Sequence, residues 1–113
     1  MSKDYKVYLD DILEAVGKIA IYTENQKFKE FVSDTKTIDA VIRNLEIIGE
    51  ATRRIPESIR TRHGEVEWHK IIGLRNILAH EYSGIDLEII WEVIKGKLPL
   101  FAQQIMQVLR DAP

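Results

Sequence analysis

The chain has 113 residues, 45% of them hydrophobic, a formal net charge of −2 and no cysteine. Such a length and composition give one domain, residues 1–113, with enough apolar side chain for its own core, and the absent cysteines exclude disulfides and thiolate metal sites. No apolar run approaches the ~20 residues that span a bilayer, Met1-Ser2-Lys3-Asp4-Tyr5 lacks a signal-peptide pattern, and the net acidity gives the molecule as a whole no attraction for nucleic acid, so a cytoplasmic protein away from membranes is expected.

Helical periodicity dominates the chain. Tyr5, Leu9, Ile12, Leu13, Val16, Ile19 and Ala20 recur at spacings of three and four, which predicts an amphipathic helix over 4–22. Thr23 with Gln26 three positions on reads as a capping box opening a short helix through Phe28 and Phe31. Asp34 or Thr35 caps a long helix with Ile38, Val41, Ile42, Leu45, Ile48 and Ile55 on its stripe, and Pro56 ends it. A further turn or two over 56–62 follows, and Gly64 breaks the chain before Trp68. The next helix runs from about Glu67 to Tyr82 and stops at Ser83-Gly84. Asp86 caps the last helix, which Gly96 and Pro99 kink or split near 96–98. No segment alternates with the period of a strand. The expected fold is an all-α, up-and-down bundle of four main helices plus short ones.

The reactive residues concentrate in Arg75-Asn76-Ile77-Leu78-Ala79-His80-Glu81-Tyr82. Arginine and histidine together suit chemistry on a phosphodiester: the guanidinium grips phosphate oxygens as a fork, and the imidazole titrates near neutrality and can move a proton. Asn76 and His80 are one turn apart on one face, and Arg75 and Tyr82 share a neighbouring face. Ile71, Leu74, Ile77 and Leu78 form the opposite, core stripe. Ile72, Gly73 and Ala79 among the polar groups leave room for another backbone to approach. A local basic patch lies over 53–63, with Arg53, Arg54, Arg60, Arg62 and His63 against the single acid Glu57. It can track phosphates or be a solvated helix end.

Arg75, four intervening residues, His80 and then Tyr82 resemble the Arg-x4-His-x-Tyr form of the HepT-like branch of the HEPN superfamily. Asp39-Ala40-Val41-Ile42-Arg43-Asn44-Leu45-Glu46-Ile47-Ile48-Gly49-Glu50-Ala51 resembles the third-helix signature of the same branch. The resemblance reaches from the first helix to about Leu109. It implies a metal-independent ribonuclease acting as the toxin of a two-gene toxin–antitoxin module, without a cofactor. It also implies a homodimer whose active sites form where two motif helices face each other. The partner it implies is a minimal nucleotidyltransferase antitoxin (MntA-like) that transfers AMP to the motif tyrosine, here Tyr82. An alternative of a different class is a non-catalytic binding subunit that docks a nucleotidyltransferase and presents nucleotide or substrate to it.

Metal-independent RNA cleavage by a 2′-hydroxyl needs a base, an acid and positive charge for the phosphorane. One His80 cannot be base and acid in a single step, whereas a twofold dimer supplies two. Near a helix C-terminus the dipole favours imidazolium, which suits the acid. Arg75 is the candidate for phosphate binding, against a plain salt bridge to Glu50 or Glu81. Asn76 can hold the imidazole or a phosphate oxygen, or make an interhelical hydrogen bond. Tyr82 can stack a base or simply pack its ring. On the third helix Arg43 and Glu50 share a face as supporting residues, with Glu50 orienting a motif residue. Glu46 and Glu50 as a carboxylate metal pair, or His63, His69 and His80 as a zinc set, fit common ligand patterns poorly, so no metal site is expected. His69 shares the azimuth of His80 but lies roughly 16 Å along the axis. Trp68 and Trp91 read as core.

Overall fold

The computed structural model describes residues 4–80 and 86–113, and the side chains of Ile77, Ala79 and His80 lie outside the description. Among the described residues seven α-helices follow in order: α1 (Lys6–Thr23), α2 (Phe28–Val32), α3 (Thr35–Arg53), α4 (Glu57–Arg62), α5 (Trp68–His80), α6 (Leu87–Glu92) and α7 (Leu98–Asp111), with a π-helical segment, Val93–Lys97, between the last two. The fold is all-α, with no strand among the described residues. No described helix is long and apolar enough to cross a membrane.

The third helix is the centre of the packing: α3 lies against both α1 and α5, α7 lies against α1, and α2 touches α3 and α6. The stripe on α3 explains this. Val41, Leu45 and Ile48 are fully buried, together with Leu9, Ile12 and Ile19 of α1 and Ile105 of α7. Side chains of this kind each contribute ~1.5–3 kcal/mol when removed from water. Ala20, expected on the stripe of α1, is exposed, and Ala15 takes the buried place.

Caps set most of the boundaries. Asp34 Oδ1 accepts the Thr37 backbone N–H at 3.1 Å, and Asp86 Oδ1 accepts those of Glu88 and Ile89. The capping box expected at Thr23 and Gln26 sits elsewhere. Thr23 is fully buried, and its hydroxyl donates to Ile19 O at 2.8 Å. At the start of the short helix α2 the contact falls four residues later, where Lys27 N donates to Glu30 Oε1 at 3.0 Å. A hydroxyl buried in the core meets a carbonyl of its own helix before it can serve the next one.

Two features hold the ends of α5 and α6 in place. Trp68 Nε1 donates to both Arg60 O and His63 O at 3.0 Å, and the indole meets Phe101 edge-on, so α5 begins fixed to the end of α4 and to α7. Between α6 and α7, Pro99 has no N–H for the preceding turn, and the ladder widens into the π-helical segment that contains Gly96. The expected split near 96–98 is this segment. Its Lys95 Nζ donates to Thr23 O at 3.0 Å while lying 4.9 Å from the Trp91 ring centroid, so it caps the end of α1 from across the bundle. The expected helix stop at Ser83-Gly84 lies outside the described residues.

Candidate active site between the third and fifth helices

The motif helix crosses α3 at Gly49. A Cβ built on Gly49 would stand 3.5 Å from Ile71 O and 3.8 Å from Arg75 Cβ, so the two helices approach to ordinary contact distance there. The next residue on α3 is Glu50. At this crossing Arg75 Nη1 donates to Glu50 Oε2 at 3.1 Å. Ile71, Leu74 and Leu78 are buried as the core stripe expected, and Arg75 is exposed off that stripe. The base of Arg75 lies against α3 next to Ile71 at Gly49, and its side chain is 57% exposed.

Glu50 serves more than Arg75. Its Oε1 accepts from Arg53 Nη2 at 2.9 Å and from Arg54 Nε at 3.3 Å. These contacts, the Arg53 hydrogen bond foremost, hold the Glu50 carboxyl below the usual carboxylate range. Arg54 in turn donates to the Tyr8 hydroxyl of α1, which with Glu50 raises the guanidinium's already high pKa. With both oxygens engaged by guanidinium groups, Glu50 is a cation organiser and makes a poor carboxylate partner for Glu46 on a metal. No group of three or more His, Cys, Asp or Glu side chains suited to a metal occurs among the described residues.

A groove of about 550 Å³ runs beside this cluster, lined by Tyr8 and Asp11 of α1, by Arg43, Glu46, Ile47, Glu50 and Ala51 of α3 with Arg54 at its C-cap, and by Arg75 of α5. Arg43, Ile47, Glu50 and the C-cap residue Arg54 are spaced four, three and four apart, which makes one helical stripe. The structure therefore brings three sequence candidates, Arg43, Glu50 and Arg75, to one surface. It adds Tyr8 and Arg54, which the sequence reading did not place in the site. The i, i+4, i+7, i+11 stripe on α3 was the available signal for Arg54. Nothing local in the sequence points to Tyr8.

Other candidates fall elsewhere. Asn76 is exposed on α5. His80 is in the last turn described for α5, its side chain lies outside the description, and Tyr82 lies outside the described residues altogether. His63 is buried, with Nδ1 3.7 Å from Glu65 Oε1, whereas His69 is exposed at the start of α5, so the two are not set toward a common ion. The basic patch over 53–63 is thus not a continuous cationic surface. Arg53 and Arg54 turn to Glu50, Arg60 Nε donates to Ile55 O at 3.1 Å, and His63 is in the core. Trp68 is buried as expected, and Trp91 is partly buried against the rings of Phe28 and Phe31.

The Ribonuclease HepT-like family matches residues 12–108, a span that includes both helices of the crossing and the whole Arg75…His80 motif. The chain belongs to this family. A Methanocaldococcus jannaschii protein with a provisional RNase name is 40% identical over 109 residues, covering 96% of this chain and 90% of its own length. A Thermococcus cleftensis protein named a probable ribonuclease HepT is 40% identical over 99 residues, 88% of this chain and 90% of its own. A Caldanaerobacter subterraneus protein, again with a provisional RNase name, is 36% identical over 108 residues, 96% of each chain. No solved structure matches the chain.

Proposed function

We propose that this protein is a metal-independent endoribonuclease of the HEPN type, the toxin of a toxin–antitoxin module. The observation that carries the reading is the Arg75–Glu50 contact at 3.1 Å, which fixes a solvent-facing guanidinium on the same helix as His80, in a chain of the Ribonuclease HepT-like family. Arg75 binds the scissile phosphate and stabilises the phosphorane with its free N–H groups. His80 moves the protons. In-line attack by the 2′-hydroxyl on phosphorus breaks the bond to the 5′-oxygen, with one imidazole taking the hydroxyl proton and a second giving a proton to the leaving oxygen. The active form is a homodimer in which each site has a His80 from each copy. Gly73 is partly exposed and a Cβ there would meet nothing within 4 Å, which leaves room on α5 for such an approach. Asn76, also exposed there, orients an imidazole or a phosphate oxygen. Arg43 contacts RNA at the far stretch of the groove.

The module's second member is a minimal nucleotidyltransferase that silences the toxin by attaching AMP to Tyr82. Two residues past His80, that modification puts a negative phosphodiester and a nucleoside near Arg75, opposing RNA by charge and by bulk. The deciding experiment is expression of the chain alone in the cytoplasm of a host cell, with sequencing of the RNA ends produced. The expected result is growth arrest with new ends, lost in His80→Ala. Intact-mass analysis after co-expression with the transferase should show added AMP mapping to Tyr82, and Tyr82→Phe should escape silencing. A chain that is harmless and leaves RNA intact would remove the nuclease reading. Silencing without added mass would replace modification by simple capping.

A further inference from the structure

Arg75 accounts for one of the three guanidinium groups on Glu50, and the cleavage reaction gives no task to the other two. One carboxylate balances one cation, so Arg53, Arg54 and Arg75 on Glu50 leave a local excess of two positive charges in a chain whose total is −2. Each guanidinium has five donors, and the structure assigns Glu50 one from each of the three. The side chains of Arg53 and Arg54 are each 54% exposed. They are not loose surface arginines. Both are tied to Glu50, and Arg54 is held from its other side by Tyr8. The acids that could neutralise the cluster lie further along the groove. Glu46 is one turn back along α3, and Asp11 is a turn along α1 from Tyr8, where it shares a smaller recess with Asn44 and Ile47.

We propose that Arg53 and Arg54, held on Glu50 beside Arg75, form a subsite for the RNA phosphate next to the one being cleaved. The subsite rests on the ribonuclease reading above. Arg75 engages Glu50 Oε2 whereas Arg53 and Arg54 engage Oε1, so the guanidinium groups stand on the two oxygens of one carboxylate, placed to take neighbouring phosphates of a single strand. A strand whose scissile phosphate sits at Arg75 therefore brings its neighbour to Arg54 and Arg53. There the spare donors meet phosphate oxygens as charge-assisted hydrogen bonds. Glu50 remains the shared anchor that keeps the two phosphate positions in register. The subsite fixes which way the strand enters the groove without reading its bases.

The test couples protein and RNA changes. A single-stranded RNA spanning a mapped cleavage position is bound to full-length protein carrying His80→Ala, and the affinity is followed against salt. Two further oligonucleotides carry an uncharged methylphosphonate at the phosphate on the 5′ or the 3′ side of the scissile one. The expected result is that Arg53→Ala/Arg54→Ala weakens binding and makes the salt slope shallower by about 0.7, the value for one single-strand phosphate contact. One of the two methylphosphonates should cause the same loss, and combining it with the double variant should cost nothing more. Arg53→Gln/Arg54→Gln, which keeps longer polar side chains, should behave like the alanine pair, and Arg110→Ala on α7 should change neither quantity. Circular dichroism confirms that each variant is folded. If the double variant keeps the wild-type slope, or if its loss adds fully to that of both methylphosphonates, the subsite does not exist. The catalytic reading is tested apart, by cleavage with the wild-type chain, and survives that outcome.

Discussion

Replacing Arg75 by alanine should separate activity from stability. The side chain is 57% exposed and its partner Glu50 is 35% exposed, a surface pair of a kind worth about 0–1 kcal/mol. Removing it leaves no buried group unsatisfied, because Glu50 keeps Arg53 and Arg54. Unfolding entropy near 2.1 cal/mol/K per residue gives about 240 cal/mol/K for 113 residues, so 1 kcal/mol moves the midpoint by about 4 °C. Activity should respond much more strongly. Loss of a group that stabilises transition-state charge typically costs 100-fold or more, about 2.7 kcal/mol. Here the exposed Glu50 oxygen adds repulsion toward the incoming phosphate. Arg75→Lys keeps the charge without the fork and should fall between the two. Thermal melting by circular dichroism, paired with initial rates of RNA cleavage, measures both effects on the same samples. A variant that cleaves within a few-fold of wild type at a matched melting temperature would refute the role given to Arg75. A midpoint lowered by more than about 10 °C would show that the pair is structural after all.

Gly49→Ala should be tolerated, since its Cβ meets only ordinary contacts, and can gain up to about 1 kcal/mol of helix propensity. Gly49→Leu should wedge α3 from α5, destabilise by about 1–3 kcal/mol and lower cleavage by parting Glu50 from Arg75, as melting and rate measurements would show. Leu45→Ala, at a fully buried site, should cost about 2–5 kcal/mol in denaturant unfolding. The carboxyls of Asp34, Glu50 and Glu67 are all lowered, Asp34 chiefly by the Thr37 hydroxyl, Glu50 by Arg53 and Glu67 by Lys70. Folded values below unfolded ones stabilise above the ordinary carboxylate range and are lost as pH falls through the folded values. The melting temperature should therefore drop below about pH 4, and less steeply in Asp34→Asn. Cleavage should persist in excess EDTA, because both Glu50 oxygens are engaged by arginine.

The parts of this molecule that sequence showed well are those set by local spacing. The stripe on α3, the Asp34 and Asp86 caps and the break near Pro99 each depend on residues within one or two turns, and each stands where the spacing put it, except that Ile55 lies past the end of α3. The Thr23 box failed because its hydroxyl is in the core, and burial of a helix end is decided by α7 and the π-helical segment packing from over 70 residues away. The same distinction governs the site. Arg75 and His80 were visible as a pair on one helix. Which of the acids weighed for Arg75 it meets was not, because that depends on where α5 crosses α3. A wheel drawn for α5 alone treats the polar side chains as one outward face. The crossing at Gly49 sets the base of the exposed Arg75 against α3 and its guanidinium on Glu50, 25 positions earlier. Glycine followed by glutamate in the third-helix block is the sequence trace of that arrangement: a small residue for contact, then a carboxylate at the point of contact. Arg54 follows one turn later on the same stripe, so the cation cluster was written into α3 before α5 was reached. What the sequence lacked was the helix partner that converts a stripe into one wall of a groove.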